Sequence, residues 1–231
     1  MKRFFIPLLV LILPLSTFAC SRNIIPQSSA PSVEKPAAPI PVEKTLSSFT
    51  AIAGTDYLMA GIVPIEMARD SSLNPFEWIS SSCYSGYSSY VTYNYVFFNT
   101  QTGEYHRLLP ANDLVIQQTA GFPQFVYDSK DPEKPAPVIE FWIYNIVKAD
   151  TNGDTFFDYR DKLTIGISDV SGSNYTELIE NVDAIQSQYY KDSSNFIIIY
   201  NVNDKNFIAR VNPITREILS TTEMDLGEDV K

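Results

Sequence analysis

Three stretches of this 231-residue chain are dense in β-branched and aromatic side chains: residues 91–98 (VTYNYVFF), 138–147 (VIEFWIYNIV) and 196–200 (FIIIY). Such side chains lose rotamer freedom against the preceding turn of a helix but stand clear on a pleated strand, so the runs predict β-structure. Turn chemistry then pairs them with second runs. Thr100-Gln101-Thr102-Gly103 leads into residues 104–109, where polar and apolar side chains alternate. Asp169-Val170-Ser171-Gly172 joins residues 162–168 to 175–179, a polar segment at 201–206 joins 196–200 to 207–211, and Asn212-Pro213 leads to Glu217-Ile218-Leu219. Helical periodicity is nearly absent; residues 65–69 could form one turn. The expected class is all-β, built of antiparallel hairpins.

A weak internal repeat sharpens that class. FFNTQTGEYHRLL (97–109), IGISDVSGSNYTELI (165–179) and IARVNPITREIL (208–219) share one outline: an apolar strand, a turn rich in Asn, Asp, Gly or Pro, then a strand ending in Leu or Ile. Strand pairs recurring at tens of residues suggest propeller blades. The chain is short for a closed ring, so the expectation is a small or incomplete β-propeller-like arrangement. A β-sandwich or plain meander yields similar hairpins and stands as the alternative.

The chain opens with an export signal. Lys2 and Arg3 precede an apolar run over 4–15, and Thr17-Phe18-Ala19 precede Cys20. The run is shorter than the roughly 20 residues of a membrane-spanning helix, so a cleaved leader over residues 1–19 is expected. The junction resembles a bacterial lipobox, although Thr17 replaces the usual Leu and Phe18 is bulky for its position. The resemblance implies acylation of Cys20, where each buried CH2 contributes about 0.8 kcal/mol of anchoring; a plain signal cut after Ala19 is the alternative. Residues 20–48 carry Pro26, Pro31, Pro36, Pro39 and Pro41 among Ser and Ala, a composition that predicts a semi-extended tether of roughly 3 Å per residue. A β-domain over 49–222 and an acidic tail over 223–231 complete the expected organisation.

Charge limits the partners. Loss of Lys2 and Arg3 with the leader takes the net charge from −10 to about −12. No Lys/Arg cluster is present to meet phosphates, which argues against nucleic acid. Attachment to an anionic membrane must then come through the lipid anchor. Cys83 is the only thiol besides Cys20, so no disulfide framework is available. The 14 Tyr, 14 Phe and 2 Trp residues can supply a core instead.

Chemistry concentrates at residues 150–161 (DTNGDTFFDYRD). Asp150, Asn152, Asp154, Asp158 and Asp161 occupy positions 1, 3, 5, 9 and 12 of a calcium-type loop, with the Phe156 carbonyl at position 7. Phe157 at position 8 would pin the loop to the core. Thr155 stands where Gly usually makes the sharp turn, and Asp161 replaces a bidentate Glu. Strand-forming sequences flank the loop, so it reads as a Ca2+ clip on a strand-to-strand connection rather than a sensor that opens. A solvated acidic turn without an ion is the alternative.

Residues 149–187, with 93–110 before and 195–211 after, resemble a group of exported bacterial lipoproteins that combine such hairpins with a D-x-N-G-D loop. They are similar to WD40-like blades of periplasmic β-propellers. The resemblance implies the fold and the Ca2+ loop and implies no activity. In such relatives a second acidic loop often follows; here Asn203, Asp204, Lys205 and Asn206 retain few ligands.

Catalytic constellations are hard to assemble. His106 is the only histidine and is expected to face solvent or a neighbouring strand. One His and one domain Cys cannot build a zinc or di-iron site. Gly86-Tyr87-Ser88-Ser89 misses a nucleophile elbow because Tyr90 takes the final Gly position. Cys83 reads as an idle thiol, and the Tyr-rich run 83–95 as a sugar- or protein-binding surface or two faces of an edge strand. Glu66, Asp70, Glu77 and Glu140 could pair as glycosidase acids. The expected function is a non-catalytic, lipid-anchored envelope protein, on the periplasmic side or outer membrane of a bacterium, that binds a protein or envelope polysaccharide. A hydrolase of envelope glycans and a structural spacer are the alternatives.

Overall fold

The computed structural model describes residues 42–65, 91–124 and 137–227, all within the unit Pro39–Lys231. The expected leader, Cys20, the expected tether as far as residue 41, Cys83, the serine motif at Gly86, the acids Glu66, Asp70 and Glu77, and most of the single turn expected at 65–69 lie outside the described residues.

Thirteen strands form three antiparallel sheets among the described residues. Sheet 1 contains β1 (Lys44–Leu46), β2 (Thr50–Ala51), β3 (Tyr57–Pro64), β4 (Asn94–Asn99) and β5 (Tyr105–Arg107), ordered β1-β3-β4-β5 with β2 also against β3. Sheet 2 is the meander β6 (Val115–Phe122), β7 (Phe141–Val147), β8 (Leu163–Asp169), β9 (Thr176–Val182). Sheet 3 repeats that meander with β10 (Ala184–Asp192), β11 (Asn195–Val202), β12 (Lys205–Asn212) and β13 (Glu217–Met224). The three repeated sequences fall on β4–β5, β8–β9 and β12–β13, which are the last two strands of each sheet. The repeat is therefore structural: equivalent hairpins close three successive blade-like sheets. This is an incomplete, propeller-like all-β arrangement.

Packing explains why residues 138–147 show no polar–apolar alternation. Phe141, Ile143 and Val147 of β7 join a cluster with Phe196, Ile198, Tyr200, Ala209 and Val211 of sheet 3. Their neighbours in sequence, Trp142, Tyr144 and Ile146, join a second cluster with Ile52, Met59, Phe97, Leu108 and Leu109. Successive side chains on a strand point to opposite faces, so sheet 2 is covered on both. A strand buried on both faces reads as a continuous apolar run. Each aliphatic or aromatic side chain so buried contributes about 1.5–3 kcal/mol before entropy is charged against it. Phe196 meets Phe122 and Phe141 edge-on at 4.7 and 5.3 Å between centroids. The Trp142 indole N–H donates to the Val170 carbonyl at 3.0 Å, so the ring's one polar atom is satisfied inside the core.

Strand boundaries depart from the sequence reading in places. β1 lies within the expected tether, β13 runs two residues into the expected acidic tail, and β2, β3, β6 and β10 form where the sequence shows no dense β-branched run.

Candidate functional site

Residues 148–162 connect the paired ends of β7 and β8, where Val147 opposes Leu163. Strands flank the loop on both sides, as expected. Its backbone curls through two left-handed residues, Gly153 at φ +79° and Thr155 at φ +72°. A β-branched residue in that region is strained by roughly 1–2 kcal/mol. Thr155 therefore makes the turn that position 6 requires without the glycine that makes it cheaply.

Carboxylate and amide oxygens hold this curl. Asp150 accepts from the Gly153 N–H at 2.6 Å with Oδ1 and from the Thr155 N–H at 2.7 Å with Oδ2. Asn152 Oδ1 accepts from the Asp154 N–H at 2.8 Å, and Asp154 Oδ1 from the Phe156 N–H at 3.0 Å. Asp161, only 1% exposed, ties the two ends of the loop together. Its Oδ1 accepts from the Thr151 N–H at 2.7 Å, the Thr151 hydroxyl at 3.1 Å and the Asn152 N–H at 3.3 Å, while Oδ2 accepts from the Asp158 N–H at 2.9 Å. Phe156 presents its ring to solvent, whereas Phe157 packs against the core between sheets 2 and 3.

Arg160 adds a feature the ligand spacing did not reveal. Its Nη2 lies 2.7 Å from Asp158 Oδ2 and 2.7 Å from Asp154 Oδ2. Its Nε donates to both Asp158 oxygens at 3.1 and 3.2 Å. Hydrogen bonds from the Arg160 side chain, and then from its backbone N–H, hold the Asp158 carboxyl below the usual range. The same contact raises the affinity of the Arg160 guanidinium for its proton.

The donor chemistry suits a hard cation, since every candidate ligand is oxygen. Asp154 Oδ2 is buried and makes no well-aligned hydrogen bond; it meets Arg160 Nη2 as an ion pair only. The oxygens of Asp150, Asn152 and Asp161 are turned to the loop's own backbone N–H groups, and Asp158 Oδ2 to the Arg160 guanidinium. Among the described residues no group of three or more His, Cys, Asp or Glu converges as metal ligands would. The sequence-defined residues thus share one loop, but Asp161 stands in it as a buried hub.

Other candidates sit apart. The His106 ring stacks on Phe97 at 5.8 Å, with Nε2 3.4 Å from Ser173 Oγ, so it faces a neighbouring turn. Glu140 accepts from the Tyr190 hydroxyl at 3.1 and 3.2 Å. The pair Tyr144 and Ser168, 2.8 Å apart in the core, carried no sequence signal beyond abundant tyrosine. Burial pushes the Tyr144 hydroxyl well up. A shallow cavity of about 570 Å3 lies where Glu177 and Leu178 of β9 meet Arg216, Glu217, Ile218 and Leu219.

No family model and no curated protein matches this chain. A β-propeller domain is among the solved structures similar to it. That domain, from the Trilobed protease of Pyrococcus furiosus and reported to have an open velcro topology, gives a TM-score of 0.38 at 10% identity. The likeness covers 79% of this chain and 43% of that one, so this chain spans less than half of that structure's length.

Proposed function

We propose that the protein is a non-catalytic, lipid-anchored envelope protein whose β-domain binds a protein or envelope polymer and is stabilised by Ca2+ in loop 150–161. The loop's wrap supports this reading most directly: left-handed turns at Gly153 and Thr155 gather oxygen side chains along one short connection. Asp150, Asn152, Asp154, Asp158, Asp161 and the Phe156 carbonyl are the groups that would hold the ion. Its chemistry there would be structural, drawing the carboxylates of a strand-to-strand connection together. The leader expected over residues 1–19, with Cys20 directly after it, supports the anchor, and the Pro-rich stretch that follows supports display away from a membrane on the periplasmic side or at the outer membrane. The cavity beside β9 and β13, bordered by exposed Ile218 and Leu219, supports a binding role.

Thermal unfolding in Ca2+ and in chelator tests the ion. An ion present at a hundred times its Kd stabilises the folded state by about 2.7 kcal/mol, roughly 5–10 °C for a domain of this size. The rise should vanish in Asp150→Ala. Equal melting temperatures in Ca2+ and chelator would overturn the calcium reading.

A further inference from the structure

The three sheets end in edges of different kinds. In sheet 1 the edge strands β1, β2 and β5 have two or three residues each. In sheet 2, β6 is buried along most of its length, and β9, like β10 in sheet 3, carries two register shifts. Short strands, cover and bulges are devices by which an edge resists pairing with another chain. β13 is different: eight residues, seven of them exposed, with no Lys or Pro. Among the described residues it pairs with β12 alone, so its outer row of backbone N–H and C=O groups faces no strand. Its one irregularity comes early. Arg210 pairs with Ser220 and Val211 with Ile218, leaving Leu219 as the extra residue of a bulge. A bulge re-aims a side chain, and Leu219, 53% exposed, borders the 570 Å3 cavity with Leu178 and Ile218. Beyond the bulge Ser220-Thr221-Thr222-Glu223-Met224 runs unbroken to a second cavity, of about 420 Å3, bordered by Asp204, Met224, Asp225 and Leu226.

We infer that β13 is a strand-addition edge: an extended segment of a partner protein, aliphatic and basic in composition, pairs along residues 220–224 and seats an aliphatic side chain over Leu178, Ile218 and Leu219. This rests on the proposed binding role and narrows it, naming the partner as protein rather than polysaccharide. Backbone hydrogen bonds along an added strand give affinity, and pockets for its alternate side chains give specificity. β13 offers both within the roughly 27 Å that eight residues of strand span. Charge selects the occupant. The two cavities are bordered by five acids, Glu177, Asp204, Glu217, Glu223 and Asp225, against two cations, Lys205 and Arg216. Lys205 already meets Glu223 at 3.0 Å. The excess of acid favours Lys or Arg on the incoming strand. A second copy of this chain would bring Glu217 and Glu223 against the same acids, and like charges facing each other across strands destabilise a pairing.

Selecting a displayed library of random eight-residue peptides against the full chain, then measuring amide exchange and calorimetric affinity with the enriched peptides, tests this. Enriched peptides should combine Val, Ile or Leu with Lys or Arg, and should slow amide exchange within residues 220–224. Methylating alternate peptide nitrogens removes strand hydrogen bonds and leaves the side chains in place; it should weaken binding about tenfold. Leu219→Ser should weaken binding about as much without lowering the melting temperature, because the side chain is exposed. Enriched peptides that slow exchange elsewhere, and are indifferent to both changes, overturn the edge while the protein-binding reading stands. Enrichment of no peptide overturns strand addition, whatever else the protein binds. Self-association of the full chain that Leu219→Ser abolishes makes the occupant a second copy and overturns the partner segment.

Discussion

Thr155 shows how a single backbone angle limits this loop. At φ +72° its branched side chain is held where glycine is at ease. Thr155→Gly should therefore raise stability by about 1 kcal/mol, read as roughly 2–4 °C in melting temperature; a fall would mean that the threonine side chain supplies something the strain conceals. The departure at position 6 was legible in the sequence, because a residue type marks it. The roles of Asp161 and Arg160 were not. An oxygen that accepts a backbone N–H and an oxygen that faces a cation are chemically the same, so spacing cannot tell them apart. Nor does spacing show which way an arginine side chain turns. Asp183 is held by its own partners. Hydrogen bonding from Lys162, and beyond it from the Asn203 N–H, holds its carboxyl below the usual range against an opposing desolvation effect. A lowered folded value stabilises above the unfolded carboxylate value of about 3.9 and loses that stabilisation as pH falls through the folded value. Melting temperature should thus decline below about pH 4, and Asp183→Asn should melt lower at pH 7 with a shallower acid decline. An acid decline of unchanged steepness in the variant would assign the loss to other groups.

Among the elements, legibility followed burial pattern. β7, β11 and β12 announced themselves because dense apolar, β-branched runs suit strands that face packed neighbours. β10 did not: its side chains are exposed or half-buried throughout, and its pairing shifts register between Ile185 and Ser187 and again between Tyr190 and Asp192. An edge strand of this kind is specified by its partner β11 rather than by its own pattern. β6 was hidden by Gln117, Gln118 and a register shift after Ile116. β3 was hidden by Gly61 within its run. The turn after β8 is constrained in a different way. A Cβ on Gly172 would lie 2.2 Å from the fully buried Phe97 ring, and its φ is +80°. Gly172→Ala should destabilise by about 2–4 kcal/mol, combining a core clash with a left-handed alanine. Denaturant unfolding measures this, and a loss below about 0.5 kcal/mol would show that Phe97 yields easily.

In the described domain as a whole, sheet 2 is the layer that both other sheets cover. The repeated hairpins made a blade-like series readable from sequence, but which sheet lies between the others required the structure. Side chains of β7 reach sheet 1 on one face and sheet 3 on the other, so β7 cannot be exposed without separating both cores. β13, by contrast, is the exposed last strand of sheet 3. Native-state amide hydrogen exchange distinguishes these positions, because protection reports the free energy of the opening that exposes each amide. The amides of β7 should exchange only through global unfolding, with the highest protection in the protein, while those of β13 exchange through local opening. Comparable exchange in β7 and β13 would contradict the layered, propeller-like arrangement.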